Sequence, residues 1–307
     1  MRNSAFQRVG LVIALALAFA GCSRQESEDT ATAQAASAPS APAEGAPRIV
    51  TSADGVHIEY RVYGSGDPAV ILVHGWSCDG NYWSEQLDAL KAKYTVVTVD
   101  LAGHGASGRN RTDWSIGNFG EDVASVARQL QNSRIVLVGH SMGAPVALEA
   151  TRRIGDRVLG VIAVDSLKTI GEPSPTDAQI QLLLKPFREN FIEHTREFVS
   201  STFFAPDTDP AFVKKVAYDM SLAPPEIAVP AMEAVLRMDY AKLLPDIHVP
   251  VVAINSDRAP VNEDRIRKEL PDFKAITLEN TGHFLMMEVP ERFNPILLDE
   301  IDALANP

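Results

Sequence analysis

The sequence predicts an α/β protein in which a mostly parallel sheet lies between layers of helices. Short runs rich in β-branched residues end in Gly or Asp and alternate with stretches that have helical spacing. Continuous apolar runs of this kind are typical of strands buried on both faces, as in a parallel sheet. One long interval has helical spacing throughout and interrupts the alternation. These two observations predict one sheet domain with helices on both faces and an inserted helical cap.

The predicted strands begin with one alternating segment and continue as apolar runs. His57–Tyr63 alternates between polar and apolar residues and precedes the turn Gly64–Asp67, a combination that favours an antiparallel strand. The runs that follow are bounded by turn residues and predict buried strands at Ala69–Val73, Tyr94–Val99, Arg134–Val138, Val158–Val164, Val249–Ile254 and Phe273–Leu278. Three of the intervals between them have helical spacing, at Tyr82–Lys91, Asn118–Gln131 and Met142–Arg153.

The helical interruption is the 83 residues between Asp165 and Val249. A crossover between parallel strands needs only one helix, so the surplus predicts an inserted cap. We place the cap at residues 171–245 and the sheet domain at residues 47–170 and 246–307. Proline residues separate four predicted cap helices, at Asp177–Leu184, Asn190–Ser200, Pro210–Met220 and Pro225–Met238.

The first 46 residues have the composition of a targeting segment and a tether. Residues 1–21 combine two early arginines with an apolar stretch too short to span a bilayer, which predicts a secretory signal peptide. The motif Phe-Ala-Gly-Cys that ends at Cys22 resembles a bacterial lipobox, although leucine usually stands where this chain has phenylalanine. Cys22 is therefore the predicted lipidation site, and the alternative is ordinary secretory cleavage nearby. Residues 22–46 lack large apolar side chains and predict a disordered tether.

Charge and cysteine content limit the possible partners and compartments. The signal and Cys22 predict a protein of the cell envelope with an N-terminal lipid anchor in the membrane, on the periplasmic face of the outer membrane in a Gram-negative source. Without the lipid, the protein would be secreted. The net charge of −12 argues against a nucleic-acid partner, because such binding depends on many lysines and arginines. Two cysteines in 307 residues exclude a disulfide framework. The oligomeric state is not predicted.

A candidate nucleophile lies in Gly139–Gly143, which reads Gly-His-Ser-Met-Gly between a predicted strand and a predicted helix. Glycine is needed on both sides of Ser141 because the turn is too tight for side chains there. Such a turn raises the serine hydroxyl above the sheet edge and directs the helix N-terminus at the reaction site. The backbone N–H groups of Trp76, in the turn His74–Trp76, and of Met142 are the predicted oxyanion donors.

His283, in a Gly-His-Phe motif after the last predicted strand, is the candidate general base. A serine hydroxyl is a weak nucleophile at neutral pH and needs an imidazole to take its proton. Asp257 follows the strand Val249–Ile254 and is the preferred acid to orient that imidazole. Asp165, at the end of Val158–Val164, is the alternative, because the loop that carries Asp257 is short. Either aspartate gives the chain order serine, aspartate, histidine.

Four motifs together resemble those of the α/β-hydrolase superfamily, over about Ile49–Ile301. They are Gly139–Gly143, His74–Trp76, Gly103–Gly108 and Gly282–Phe284. The resemblance is strongest to the branch of capped serine esterases, haloperoxidase-like enzymes and carbon–carbon bond hydrolases. It implies the α/β-hydrolase fold, with eight mostly parallel strands and a helical lid over the catalytic residues. The serine at position 141 distinguishes the chain from epoxide hydrolases and haloalkane dehalogenases, which have aspartate there.

These residues and this resemblance predict a serine hydrolase that acts on small carboxylic esters or related carbonyl substrates through an acyl-enzyme. Carbon–carbon bond hydrolysis, lactone opening and cofactor-free perhydrolysis use the same three residues and are the alternatives. A tethered binding protein on this scaffold belongs to a different class, and the intact serine, histidine and acid argue against it. No cofactor and no metal is expected, since the sequence contains neither HExxH nor paired CxxC motifs.

Overall fold

The structure is a computed structural model that describes residues 43–307. The predicted signal peptide, Cys22 and most of the predicted tether lie outside the described residues. At the end of that tether, residues 43–46 form a turn in which the Gly45 N–H donates to the Val62 carbonyl at 2.9 Å. Within residues 43–307, no helix is both long enough and apolar enough to cross a membrane.

An eight-stranded sheet runs through the described chain, as the resemblance implied. Its strands are β1 (Arg48–Thr51), β2 (His57–Tyr63), β3 (Ala69–Val73), β4 (Thr95–Val99), β5 (Ile135–His140), β6 (Val158–Val164), β7 (Val251–Ser256) and β8 (Phe273–Leu278). They lie in the order β1-β2-β4-β3-β5-β6-β7-β8. β2 is antiparallel to both β1 and β4, and every other pair is parallel. All residues of β3, β4 and β5 are buried, which explains why these strands are mostly apolar.

Helices cover both faces of the sheet and also form the cap. They are α1 (Ser84–Lys91), α2 (Ile116–Ala127), α3 (Gly143–Ile154), α4 (Asp177–Glu189), α5 (Phe191–Thr202), α6 (Pro210–Met220), α7 (Pro225–Leu236), α8 (Tyr240–Leu243), α9 (Glu263–Ile266), α10 (Leu285–Glu288) and α11 (Pro290–Ala305). Three short 3₁₀ helices lie at Gly80–Trp83, Gly155–Arg157 and Leu244–Asp246. α2 packs on α3, and α1 packs on α11.

The helical insertion between β6 and β7 comprises α4 to α7, and local sequence explains where two of these helices begin. Thr176 and Gln179 form a capping box at the start of α4, since each side chain bonds the other residue's backbone N–H. At α6, the Asp209 side chain accepts from the N–H of Ala211, and Pro210 occupies the first turn. The predicted helical interruption of the sheet is therefore confirmed.

Two elements of the core were not predicted from the sequence. β1 is a short edge strand whose residues are half-buried or exposed, so it lacks an apolar run. α11 contains Pro295, a residue that normally ends a helix because it lacks a backbone N–H. Its buried face, which includes Phe293, Leu297 and Ile301, packs on the sheet and stabilises the helix despite that proline.

The strand register brings several loops together at one edge of the sheet. Val73 of β3 is aligned with Gly139 of β5, and His140 is aligned with Val164 at the end of β6. The loops that follow these parallel strands therefore leave the sheet at the same level. Polar residues from distant parts of the sequence meet there, which is the usual place for a ligand site in an open α/β sheet.

A buried ion pair joins the middle of α2 to the turn between β1 and β2 at the edge of the sheet. The Arg111 guanidinium binds both carboxylate oxygens of Asp122, with distances of 2.5 Å and 2.9 Å, and its Nε lies 2.6 Å from Asp54 Oδ2. The Arg111 side chain is 2% exposed and that of Asp122 is 0% exposed. Ser52 Oγ and the Ala102 N–H also donate to Asp122. Each polar group of the pair is thus compensated inside the protein.

Replacing Arg111 with methionine should therefore leave the Asp122 carboxylate buried without its partner. We expect the free energy of unfolding to fall by about 3–5 kcal/mol, measured by urea denaturation at pH 7. Arg128→Gln is the matched control, because it removes an exposed arginine that pairs with Glu121 at 2.6 Å. The control should change stability far less. A loss below about 1 kcal/mol in the Arg111 variant would contradict this account of the pair.

Three histidines at this edge of the sheet are buried. Burial lowers the pKa of His74 to about 4, and that of His104 and His140 to about 3. Their hydrogen bonds suit the neutral ring: the Leu101 N–H donates to His74 Nε2 at 3.0 Å, and His104 Nδ1 lies 3.0 Å from the Ala102 carbonyl oxygen. The native state therefore holds all three side chains uncharged at neutral pH.

The free energy of unfolding should consequently fall as the pH drops from about 6.5 towards 4. In that window the unfolded chain protonates these histidines and the native state does not, so the unfolded state binds more protons. We expect His104→Gln to reduce the loss between pH 7 and pH 5 by about 2 kcal/mol in urea denaturation. His57→Gln, at an exposed position, should leave the pH dependence as in the wild type. Equal pH dependence in the wild type and the His104 variant would exclude this role for His104.

Candidate active site

Ser141 lies in the tight turn between β5 and α3, with a φ of 51°. Few residues other than glycine adopt this left-handed conformation, and the surrounding structure must hold it. The Ser141 N–H donates to the Val164 carbonyl at 2.9 Å, and Ser166 Oγ donates to the Ser141 carbonyl at 2.9 Å. A Cβ on Gly139 would lie 2.2 Å from the Gly143 carbonyl oxygen, and one on Gly143 would lie 2.4 Å from a backbone oxygen of β3. Both glycines are sterically required, as the motif predicts.

His283 lies in the loop between β8 and α10, and its Nδ1 is 2.6 Å from Asp165 Oδ2. Asp165 directly follows β6, and its side chain is 7% exposed. The other carboxylate oxygen accepts from the Ser256 N–H and from Ser256 Oγ, both at 2.8 Å, and lies 2.7 Å from Lys168 Nζ. Every oxygen of this buried carboxylate therefore has a donor.

Opposing effects act on the charge of Asp165. Burial raises the pKa of its carboxyl group, but the hydrogen bond to His283 and the positive charge of Lys168 outweigh burial. The pKa of Asp165 is held well below its usual range, so the group is a carboxylate at neutral pH. Its Oδ2 therefore accepts a hydrogen bond from His283 Nδ1–H, which leaves Nε2 as the ring's basic atom.

The structure brings Asp165, rather than the preferred Asp257, to His283. Asp257 is exposed, and its Oδ2 accepts from the Asn280 N–H at 3.0 Å. β7 ends at Ser256, two residues beyond the end predicted from the sequence, and Asp257 is the first residue after it. The residue of β7 that contacts Asp165 is Ser256, whose hydroxyl donates to that carboxylate.

The turn after β3 lies directly against Ser141. A Cβ on Gly75 would lie 2.8 Å from His140 Nδ1 and 3.2 Å from Ser141 Cβ, so a larger residue there would displace its neighbours. Within residues 43–307, the backbone N–H groups of Trp76 and Met142 donate no hydrogen bond to another protein group. These two amides are the ones that the sequence indicates as oxyanion donors.

The Trp76 side chain joins this turn to the cap. Its Nε1–H donates to the Ala228 carbonyl of α7 at 2.6 Å. The indole also makes edge contacts with Phe187 of α4 and Phe191 of α5, with ring centroids 5.8 Å and 6.1 Å away. One residue of the sheet domain therefore contacts three cap helices.

Several groups that hold His283 in place were not recognised from the sequence. His140 Nε2 lies 2.9 Å from the His283 carbonyl oxygen. The Phe203 carbonyl accepts from the His283 N–H at 2.5 Å, and the two rings are 4.4 Å apart between centroids. Glu288 accepts from the N–H groups of Gly282 and Phe284, at 3.1 Å and 3.0 Å. Short sequence motifs carry no signal for these contacts, because they depend on how β5, α10 and the cap pack around His283.

The assembled groups supply the parts of a covalent acyl transfer. Ser141 lies on a strained turn, His283 has its ring oriented by an ionised carboxylate, and two unpaired amides lie beside the serine. Within residues 43–307, no three His, Cys, Asp or Glu side chains form a group able to hold a metal ion.

Comparison with known proteins identifies the family to which the chain is similar in sequence and supports the fold described above. Residues 70–296 match the sequence profile of the alpha/beta hydrolase family. The chain is 25% identical to 3-oxoadipate enol-lactonase 2 of Acinetobacter baylyi, over 79% of this chain and 92% of that protein. It is 27% identical to the non-heme chloroperoxidase CPO-A1 of Kitasatospora aureofaciens, over 82% and 98% of the two chains.

The structure also superposes on a thermophilic esterase of Thermogutta terrifontis with a TM-score of 0.73 and 24% identity, over 85% of this chain and all of the other. At this identity, the likeness shows the fold. Together with the profile match over most of the sequence and the geometry at the sheet edge, these findings show that the chain belongs to the alpha/beta hydrolase family.

Proposed function

We propose that the protein is a serine hydrolase that cleaves small carboxylic esters or related carbonyl substrates through an acyl-enzyme. The observation that carries this proposal is the 2.6 Å contact between His283 Nδ1 and the buried, ionised Asp165. A carboxylate in this position selects the imidazole tautomer whose Nε2 can take a proton, and it stabilises the imidazolium that forms. We assign the acid to Asp165 and not to Asp257, which is exposed and bonded to Asn280.

In the proposed first half-reaction, Ser141 Oγ attacks the carbonyl carbon while His283 Nε2 takes its proton. The electron pair of the carbonyl π bond moves to the oxygen, and the resulting oxyanion accepts hydrogen bonds from the N–H groups of Trp76 and Met142. The tetrahedral intermediate then collapses, the bond to the leaving alcohol breaks, and His283 returns its proton to the alkoxide oxygen. Asp165 stays ionised throughout and holds the ring in position.

The second half-reaction repeats these steps with water. The oxygen of a water molecule attacks the acyl carbon of the ester at Ser141 while His283 Nε2 takes a proton from that water. The second tetrahedral intermediate expels the serine oxygen, which regains its proton from His283. A carboxylic acid leaves, and the enzyme returns to its starting state with one water consumed.

Lactone opening is the second candidate, and the similarity to an enol-lactonase over 79% of the chain supports it. A lactone is a cyclic ester, so the same attack by Ser141 opens the ring and the alcohol leaving group stays attached to the acyl part. The chloroperoxidase relative favours perhydrolysis, in which hydrogen peroxide replaces water in the second half-reaction. Carbon–carbon bond hydrolysis would use the same three residues, and no similarity described above favours it.

A fluorophosphonate probe should label the wild-type protein at Ser141, because an activated serine attacks phosphorus as it attacks a carbonyl carbon. Peptide mass spectrometry should locate the adduct at that residue. Ser141→Ala should abolish both the labelling and the hydrolysis of p-nitrophenyl acetate. Ser201→Ala, which removes an exposed serine of the cap, is the control and should be labelled like the wild type. A folded wild-type protein that stays unlabelled would rule out the proposed mechanism.

The assignment of the acid can be tested with Asp165→Asn and Asp257→Asn. Loss of the carboxylate beside His283 removes the preference for the productive tautomer, so we expect kcat for Asp165→Asn to fall by a factor on the order of 10³–10⁴. Asp257→Asn should keep kcat within about threefold of the wild type, since its carboxylate bonds only the Asn280 backbone in this loop. Steady-state kinetics with p-nitrophenyl acetate, on variants with native circular dichroism, provide the measurement. A large loss of kcat only in the Asp257 variant would reverse the assignment.

A further inference from the structure

A cleft of about 660 Å³ lies in the cap between α5, α6 and the segment that joins them. Three basic side chains line it, and no acidic side chain does: Arg196 of α5, Lys214 of α6 and Arg258 of the loop after β7. This is a local reversal of charge, because the whole chain has a net charge of −12. Ser141 and His283 are not among the residues that line the cleft.

Most of the remaining lining of the cleft is apolar, and Ser200, Ser201 and Thr208 add hydroxyl groups. Phe204, Pro206, Val213 and Ala217 line it together with the ring of Tyr218. The volume lies within the range of about 300–1,000 Å³ that is typical of small-molecule sites, and such sites combine an apolar lining with a few polar groups. The cleft therefore offers contacts both for a hydrocarbon body and for a negatively charged end.

The three cations are free to bind an external anion. Within residues 43–307, none of them forms an ion pair with a carboxylate, whereas the neighbouring Lys215 lies 3.8 Å from Asp219. Two are held in fixed orientations by the protein. Arg196 lies over the Tyr218 ring at 5.0 Å and its Nε donates to Ser221 Oγ at 3.0 Å, and Arg258 donates to the Phe204 carbonyl. A preoriented guanidinium loses less side-chain entropy when it binds a carboxylate.

The wall of the cleft is shared with the loop that carries His283. Phe204 and Thr208 line the cleft, and Thr208 Oγ1 donates to Glu288 at 3.0 Å. Glu288 accepts from the backbone on both sides of His283. Phe203, next to Phe204, accepts from the His283 N–H. The segment that joins α5 to α6 therefore forms part of the wall of the cleft and also contacts the loop that carries His283.

We propose that this cleft binds a small organic anion, a carboxylate with a short hydrocarbon body, at a site distinct from the Ser141 site. Its carboxylate contacts Arg196, Lys214 and Arg258, and its hydrocarbon part packs on the apolar lining. The acid released in the proposed hydrolysis belongs to the same chemical class, although binding in the cleft does not depend on that function. Ester hydrolysis and anion binding can therefore fail independently of each other.

The test is isothermal titration calorimetry of the full protein with hexanoate, on a Ser141→Ala background that excludes turnover. We expect saturable binding at one site, weakened by at least about fivefold in Lys214→Gln and in Arg196→Gln. Lys185→Gln, which removes an exposed lysine of α4 outside the cleft, should bind as tightly as the parent. Affinity should fall as NaCl is raised, because partly exposed charge contacts are screened by salt.

Hexanamide, of nearly the same shape but uncharged, should bind at least about fivefold more weakly than hexanoate. Equal affinity for the two ligands would show an apolar pocket and overturn the proposal. Hexanoate binding that is unchanged in both Lys214→Gln and Arg196→Gln would place the ligand elsewhere and overturn it too, as would the absence of saturable binding. Lys214 is exposed, so its variant keeps the test valid even if Arg196→Gln disturbs the contact with Tyr218.

Discussion

The hydrogen bond between His283 and Asp165 is the constraint on which the candidate site depends. A carboxylate that is only 7% exposed would be unfavourable without donors, and the protein supplies them from three different loops. His283 follows β8, Ser256 ends β7 and Lys168 lies beyond β6. The bond therefore requires that neighbouring parallel strands end at the same level. The sheet register provides this alignment, so the position of the Asp165 carboxylate beside His283 depends on how the strands are paired.

The cap adds a second set of constraints to the same groups. Trp76 donates its indole N–H to α7 and packs against α4 and α5, while Phe203 binds the backbone of His283 and lies against its ring. Glu288 connects the loop of His283 to Thr208 in the cap. The cap therefore contributes to the position of the candidate catalytic groups. This explains why the residues that hold His283 come from parts of the chain that share no motif with it.

Much of this structure could be predicted because burial leaves a direct trace in sequence. The bounds of β2, β3, β6 and β8 match the predicted strands. Of these, β3 and β6 are almost wholly buried and mostly apolar, whereas only the two end residues of β8 are buried. β1 and α11 were missed because an exposed edge strand has no apolar run and because a proline interrupts the helical pattern. The choice between the two aspartates depended on where β7 ends, and strand ends are poorly fixed by local sequence. In the structure, Ser256 at the end of β7 donates to Asp165, and Asp257 accepts from the Asn280 N–H instead of contacting the His283 ring.

Trp76 links the sheet domain to the cap and so restricts which caps this sheet domain can carry. The backbone N–H of Trp76 is a proposed oxyanion donor, and the side chain of the same residue is bonded to Ala228 in the cap. A cap transplanted from another member of the family would need a carbonyl at the position of Ala228, together with aromatic edges at the positions of Phe187 and Phe191. A graft that lacked them would release the indole and with it the turn that presents the amide. A change of cap in this protein would therefore also affect the turn that carries a proposed oxyanion donor.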